Sequence, residues 1–162
     1  MTQTDGQTDG QTDGQLDAEL DRIERSIDID ASAEKVWSLI TRPGWWINDG
    51  DIEPDTETRR EGDYDVVVHP KHGTFRFATL ERDEPRHLTY HWVDNVAPEA
   101  GTTVAFWIED RPGGVTLRVV ESGFSTLKKD RAAIDNQIKE NTHGWQVELE
   151  AARRFVQGDG GA

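Results

Sequence analysis

The amino-acid sequence predicts an α+β fold: a curved antiparallel sheet of six to seven strands wrapped around one long C-terminal helix, with short helices after the first strand. Three observations carry this reading. Strand signals recur at spacings of roughly ten residues from Tyr64 to Glu121, with turn residues between them, as in an antiparallel meander. Beyond Leu127 the apolar period changes from two to a mixture of three and four, the stripe of an amphipathic helix. A strand and a short helix precede the meander.

In chain order, Ile23, Arg25, Ile27 and Ile29 alternate with Glu24, Ser26, Asp28 and Asp30, which sets the isoleucines on one face of a half-buried strand. Asp30 or Ser32 can cap the helix that follows, in which Ala33, Val36, Leu39 and Ile40 recur at helical spacing up to Pro43 and Gly44. Trp45 and Trp46 come next, then a polar stretch from Asp49 to Asp63 with one short strand expected around Glu53 to Arg59. Tyr64, Val66 and Val68 pair through a turn at Pro70 to Gly73 with Phe75, Phe77 and Thr79. Asp83-Glu84-Pro85 turns the chain into Leu88, Tyr90 and Trp92; Val104, Phe106 and Ile108 follow, and Arg111-Pro112-Gly113-Gly114 reverses it into Val115, Leu117 and Val119. Leu127, Ile134, Ile138, Trp145, Leu149, Ala152 and Val156 form the last helix, the one element long enough to cover the sheet. Gly144 interrupts it at a cost of about 1 kcal/mol relative to Ala, so close approach of another backbone or a bulky side chain is expected there.

Composition narrows the function. A length of 162 residues accommodates one domain, here residues 22–157, preceded by a tail. The TQTDGQTDGQTDGQ repeat has no apolar side chain, so residues 1–21 are expected to be a disordered acidic tail, and residues 158–162 a frayed end. That tail carries six acids and no base, which leaves 26 acids against 18 bases, net −8, out of a total of −14. Net negative charge disfavours nucleic acid and anionic membranes as partners. With no cysteine there is neither a disulfide framework nor a thiolate site. No apolar run reaches the roughly 18 residues of a membrane span, and the N-terminus has no basic and apolar leader, so a cytoplasmic location is expected.

Several motifs together resemble the START-like or Bet v 1-like (SRPBCC) superfamily, and within it the domain related to the C-terminal part of the activator of Hsp90 ATPase. They are Ile29-Asp30-Ala31-Ser32-Ala33-Glu34-Lys35-Val36-Trp37, Pro43-Gly44-Trp45-Trp46, Leu88-Thr89-Tyr90-His91-Trp92, Leu117-Arg118-Val119-Val120-Glu121-Ser122-Gly123-Phe124, and Gly144-Trp145 with Leu149. The resemblance implies a helix-grip fold, with a cavity between the sheet and the terminal helix. In many relatives His stands where this chain has Glu121.

A small hydrophobic or aromatic molecule is therefore the expected ligand, held by Trp45, Trp46, Phe75, Phe77, Tyr90, Trp92, Phe106, Glu121, Trp145 and Leu149. Aromatic rings offer large contact area at little rotamer entropy. Trp107 is expected on the opposite sheet face. Glu121 continues the alternation of Leu117 and Val119, which aims it at the helix side, where it acts on a ligand or, as the favoured arrangement, pairs with Arg76 or Arg131. Most of the histidines are expected at the surface, with His91 outward and His143 at a pocket rim. No metal, cofactor or complete catalytic set is expected: the histidines share no face, Ser122 and Ser125 lack a nucleophile elbow, and Pro54 breaks a calcium loop over Asp49, Asp51, Glu53 and Asp55. Two alternatives accompany the binding module: a cyclase or aromatase using Glu121 or His143, and an interaction protein that contacts a chaperone.

Overall fold

A computed structural model describes residues 21–158. Seven strands form one antiparallel sheet: β1 (Arg22–Ile29), β2 (Glu57–Glu61), β3 (Tyr64–His69), β4 (Gly73–Asp83), β5 (His87–Val93), β6 (Gly101–Arg111) and β7 (Gly114–Ser122). Their order across the sheet is β1-β7-β6-β5-β4-β3-β2, so β2 to β7 form a continuous meander and β1 joins its far edge beside β7. Helix α1 (Ala33–Ile40) follows β1, and helix α2 (Arg131–Gln157) closes the chain. This is the helix-grip arrangement. The expected tail and frayed end lie outside the described residues except for Asp21, whose carboxylate accepts hydrogen bonds from Ser125, and Gly158.

Local chemistry explains the boundaries. Ser32 caps α1 by accepting from the Lys35 amide at 3.2 Å, which satisfies one of the orphan donors of a helix N-terminus. The apolar face of α1 is buried through Val36, Leu39 and Ile40. Tyr90 secures the other end, its hydroxyl donating to the Ile40 carbonyl at 2.8 Å. In β4 the register slips between Thr79 and Glu81, a bulge that turns Leu80 out to solvent and bends the sheet. Gly101 opens β6 at φ +124°, and a Cβ there would fall 2.1 Å from the Trp92 carbonyl oxygen, so only glycine lets β5 and β6 meet at this point.

Three expectations are corrected. The short strand lies at Glu57–Glu61 rather than around Glu53 to Arg59, because the segment before it is held in loop form by His69. His69 is not a surface residue: its Nδ1 accepts from the Lys71 and His72 amides, which leaves the ring proton on Nε2 to donate to Glu53 at 2.6 Å. Leu127 precedes α2 instead of belonging to it; the Asp130 side chain caps the helix by accepting from the Ala133 amide at 2.8 Å, and Leu127 is buried in the connecting loop.

The core lies between the concave face of the sheet, α1 and the C-terminal half of α2. In that half Leu149, Ala151, Ala152 and Val156 are buried, whereas from Arg131 to Gly144 only Ile134 is. The N-terminal half of α2 thus leaves the space where cavities form.

Candidate functional site

Trp46 is the hub of an aromatic cluster. The turn that delivers it is held by Trp45 N–H to Arg42 O and Ile47 N–H to Gly44 O. Gly44 takes φ +70°, and a Cβ there would press to 3.0 Å from the Phe77 ring. The Trp46 ring lies 5.3 Å from Phe77, 5.5 Å from Trp92 and 5.4 Å from Trp145, centroid to centroid. Edge-on and tilted pairs of this kind are worth roughly 0.5–1.5 kcal/mol each beyond area burial.

Two cavities adjoin at the sheet face opposite the middle of α2, residues 137–148, and share Trp92, Glu121 and Asn141 as a common wall. The first, of about 220 Å³, opens between Phe75, the β5–β6 connection and Gln137. The second, of about 240 Å³, is bounded by Trp46, Asn48, Glu140, Gly144, Trp145 and Glu148. Neither is lined by a lysine, arginine or histidine.

Glu121 stands in the shared wall and is 1% exposed. Its Oε2 accepts from Thr102 Oγ1 at 2.7 Å, and its Oε1 from Trp145 Nε1 at 2.8 Å and Asn141 Nδ2 at 3.2 Å. Burial pushes its carboxyl above the ordinary range, and the three hydrogen bonds oppose that rise. The expected salt bridge does not form. Arg76 pairs with Glu61 and Arg131 with Asp135 at the surface, because three neutral donors carried by β6 and α2 already fill the carboxylate's coordination.

Glu148, which sequence reasoning missed, is 8% exposed and accepts from Asn48 Nδ2 at 2.7 Å. Burial raises its carboxyl to about 7, against smaller opposing effects of the Asn48 hydrogen bond and the Arg154 charge. A signal for it existed. Asn141 and Glu148 fall seven and fourteen residues after Ile134, so they interrupt the apolar stripe of α2 with polar groups.

Of the ten expected ligand residues, Phe75, Trp92 and Glu121 line the first cavity, and Trp46, Trp92, Glu121 and Trp145 line the second. Phe77, Tyr90, Phe106 and Leu149 are buried in the core behind them. Trp45 borders a separate cavity of about 290 Å³ with Arg42 and Thr58. Trp107 lies on the outer face, stacked on His87 and covered by Arg118. His91 is half-buried; His143 is exposed and lines neither cavity, because its helix position turns it away from Asn141 and Trp145. No group of three His, Asp or Glu side chains is placed to hold a metal ion among the described residues. None of their helices is long and apolar enough to cross a membrane.

Gly144 corrects another expectation. A Cβ at this position meets nothing within 4 Å, so no close approach explains the glycine; it borders the second cavity instead. Gly144→Ala is expected to raise unfolding free energy by about 1 kcal/mol through helix propensity, measured by urea denaturation.

The chain shares its fold with solved structures of low sequence identity. Protein MLL2253 from Mesorhizobium loti aligns at a TM-score of 0.61 with 20% identity, covering 84% of this chain and 96% of that one. The Aha1 dimer from Colwellia psychrerythraea aligns at 0.59 with 20% identity over 86% and 97%. CalU16 from Micromonospora echinospora aligns at 0.58 with 22% identity over 85% and 75%. No curated protein sequence matches significantly. The model of the family described as "Activator of Hsp90 ATPase homolog 1-like protein" matches residues 30–154, from the end of β1 to the last turn of α2. That match takes in most of the chain and every element except β1, and with it this chain belongs to the activator of Hsp90 ATPase homolog 1-like family.

Proposed function

We propose that this protein binds a small molecule with a hydrophobic or aromatic body, held between the sheet and the middle of α2. The observation that carries the reading is the pair of adjoining cavities whose common wall is Trp92, Glu121 and Asn141. Concave sites with largely apolar walls and a few fixed polar groups are the usual form of small-molecule sites. Here Trp46, Trp92 and Trp145 supply the apolar contact. Glu121 is held in one orientation by three donors, so its position is set before a ligand arrives.

Titration against a library of lipids and aromatic compounds, followed by tryptophan fluorescence and native mass spectrometry, tests the proposal. The expected result is saturable quenching by one or a few compounds at 1:1 stoichiometry. Gly144→Leu, which puts a side chain into open cavity space, is expected to abolish that binding while the fold remains. A protein refractory to the whole library overturns the proposal.

One observation favours a second reading, an enzyme of the cyclase or aromatase kind. Glu148 lines the cavity and burial raises its carboxyl to about 7, which suits a general base, and it replaces His143 in the role expected for that residue. Chaperone contact is supported by family membership and by the acidic net charge of −14, and it is tested by the effect of the chain on a chaperone's ATPase rate. Both come second to the binding reading, which rests on geometry at the cavity itself.

A further inference from the structure

Three carboxylates line the second cavity: Glu121 and Glu148 are buried and Glu140 is exposed. Among the described residues no salt bridge includes Glu121, Glu140 or Glu148, although carboxylates elsewhere on the surface pair repeatedly with arginine. Glu148 accepts only from a neutral amide, Asn48. Arg154, whose charge acts on it, is turned outward to the Gly50 carbonyl and Asp51 at 2.8 and 3.1 Å. Buried carboxylates without a cation are costly, and a charge brought by a ligand offsets that cost.

The indoles of the wall point the same way. Elsewhere in the protein Trp107 and Trp37 each carry an arginine guanidinium, at 4.3 and 5.2 Å from the ring centroid. No such arginine lies over Trp46, Trp92 or Trp145 among the described residues. Tryptophan is the best aromatic partner for a cation, and here three of them border a space that contains no protein cation.

We propose that the ligand of this cleft is an organic amine, its ammonium held against Glu148 and Glu140 and its apolar body packed on Trp46, Trp92 and Trp145. The inference rests on the ligand-binding reading above and adds the sign of the charge. An anionic or purely hydrocarbon ligand would leave the carboxylates uncompensated.

The test compares three probes of one shape: 1-naphthylmethylamine, 1-methylnaphthalene and 1-naphthylacetate, titrated into the full chain at pH 8 by calorimetry and tryptophan fluorescence. The amine is expected to bind about tenfold or more tighter than either of the others. Glu148→Gln is expected to reduce that ratio to within about threefold; Glu57→Gln, on the exposed edge strand, controls for net charge and leaves it unchanged. Equal or tighter binding of the neutral or anionic probe overturns the amine assignment while leaving the ligand-binding reading standing. Absence of saturable binding by all three, together with a negative library screen, overturns both.

Discussion

Alanine in place of Glu121 is expected to lower the unfolding free energy by about 3–4 kcal/mol. The change removes the acceptor of three hydrogen bonds at once and strands the Trp145 indole N–H, the Thr102 hydroxyl and the Asn141 amide around a void. Each buried donor left without a partner costs roughly 1–3 kcal/mol, with access of water to Asn141 lowering the total. Glutamine behaves differently. It keeps an oxygen for Trp145 and Asn141, turns its amide toward the Thr102 hydroxyl, which can accept, and carries no charge to desolvate. Urea denaturation of the two variants at pH 7 checks this: a large loss for alanine and a loss below about 1 kcal/mol for glutamine is the expected pair. Equal losses would show that the site answers to shape alone and not to its hydrogen bonds.

Glu148→Gln is expected to stabilise the protein by about 2 kcal/mol at pH 8 and to have little effect at pH 5. The direction follows from the raised carboxyl, about 7 in the fold against an ordinary 4.5. Below about 4.5 both folded and unfolded chains hold the proton, and burial of the group carries no charge penalty. As pH rises the unfolded chain releases it first, so stability falls between about 4.5 and 7 and then levels off. Glutamine removes this titration and still accepts from Asn48. The Glu121 carboxyl is raised as well and contributes in the same direction; subtraction of the parent from the Glu148 variant at each pH isolates the one group. Parallel stability curves for the two proteins would overturn the assignment. A carboxylate kept where it costs stability is typical of a residue retained for binding or chemistry.

The fold was largely legible in the sequence because its signals are local. The alternation of Ile23, Ile27 and Ile29, the turn at Arg111 to Gly114 and the helical stripe from Ile134 to Val156 each arise within a few residues. The same alternation placed Glu121 on the helix side, and the structure brings it there. Its partners were another matter. Thr102 and Trp145 lie nineteen and twenty-four residues away in sequence, and nothing in the local pattern distinguishes three neutral donors from one arginine. Gly144 is similar: a glycine in a helix reports a cost, and only the neighbouring elements show that what it adjoins is empty space.

By itself, then, the amino-acid sequence determined the order of elements, the sheet that curves around the last helix, and the opposite faces that Trp92 and Trp107 occupy. Tertiary structure alone decided which aromatics face open space and which fill the core. Phe77 and Phe106 share a sheet face with Trp92, yet only Trp92 borders the cavities. It also decided that Glu148 lines the same cavity as Trp46 and is held by the Asn48 amide rather than by a cation. The physical reason is that periodicity fixes direction, whereas a cavity is the small difference between the space enclosed by a bent sheet and the volume of the side chains filling it. That difference depends on the bulge in β4 and the close approach at Gly101 acting together.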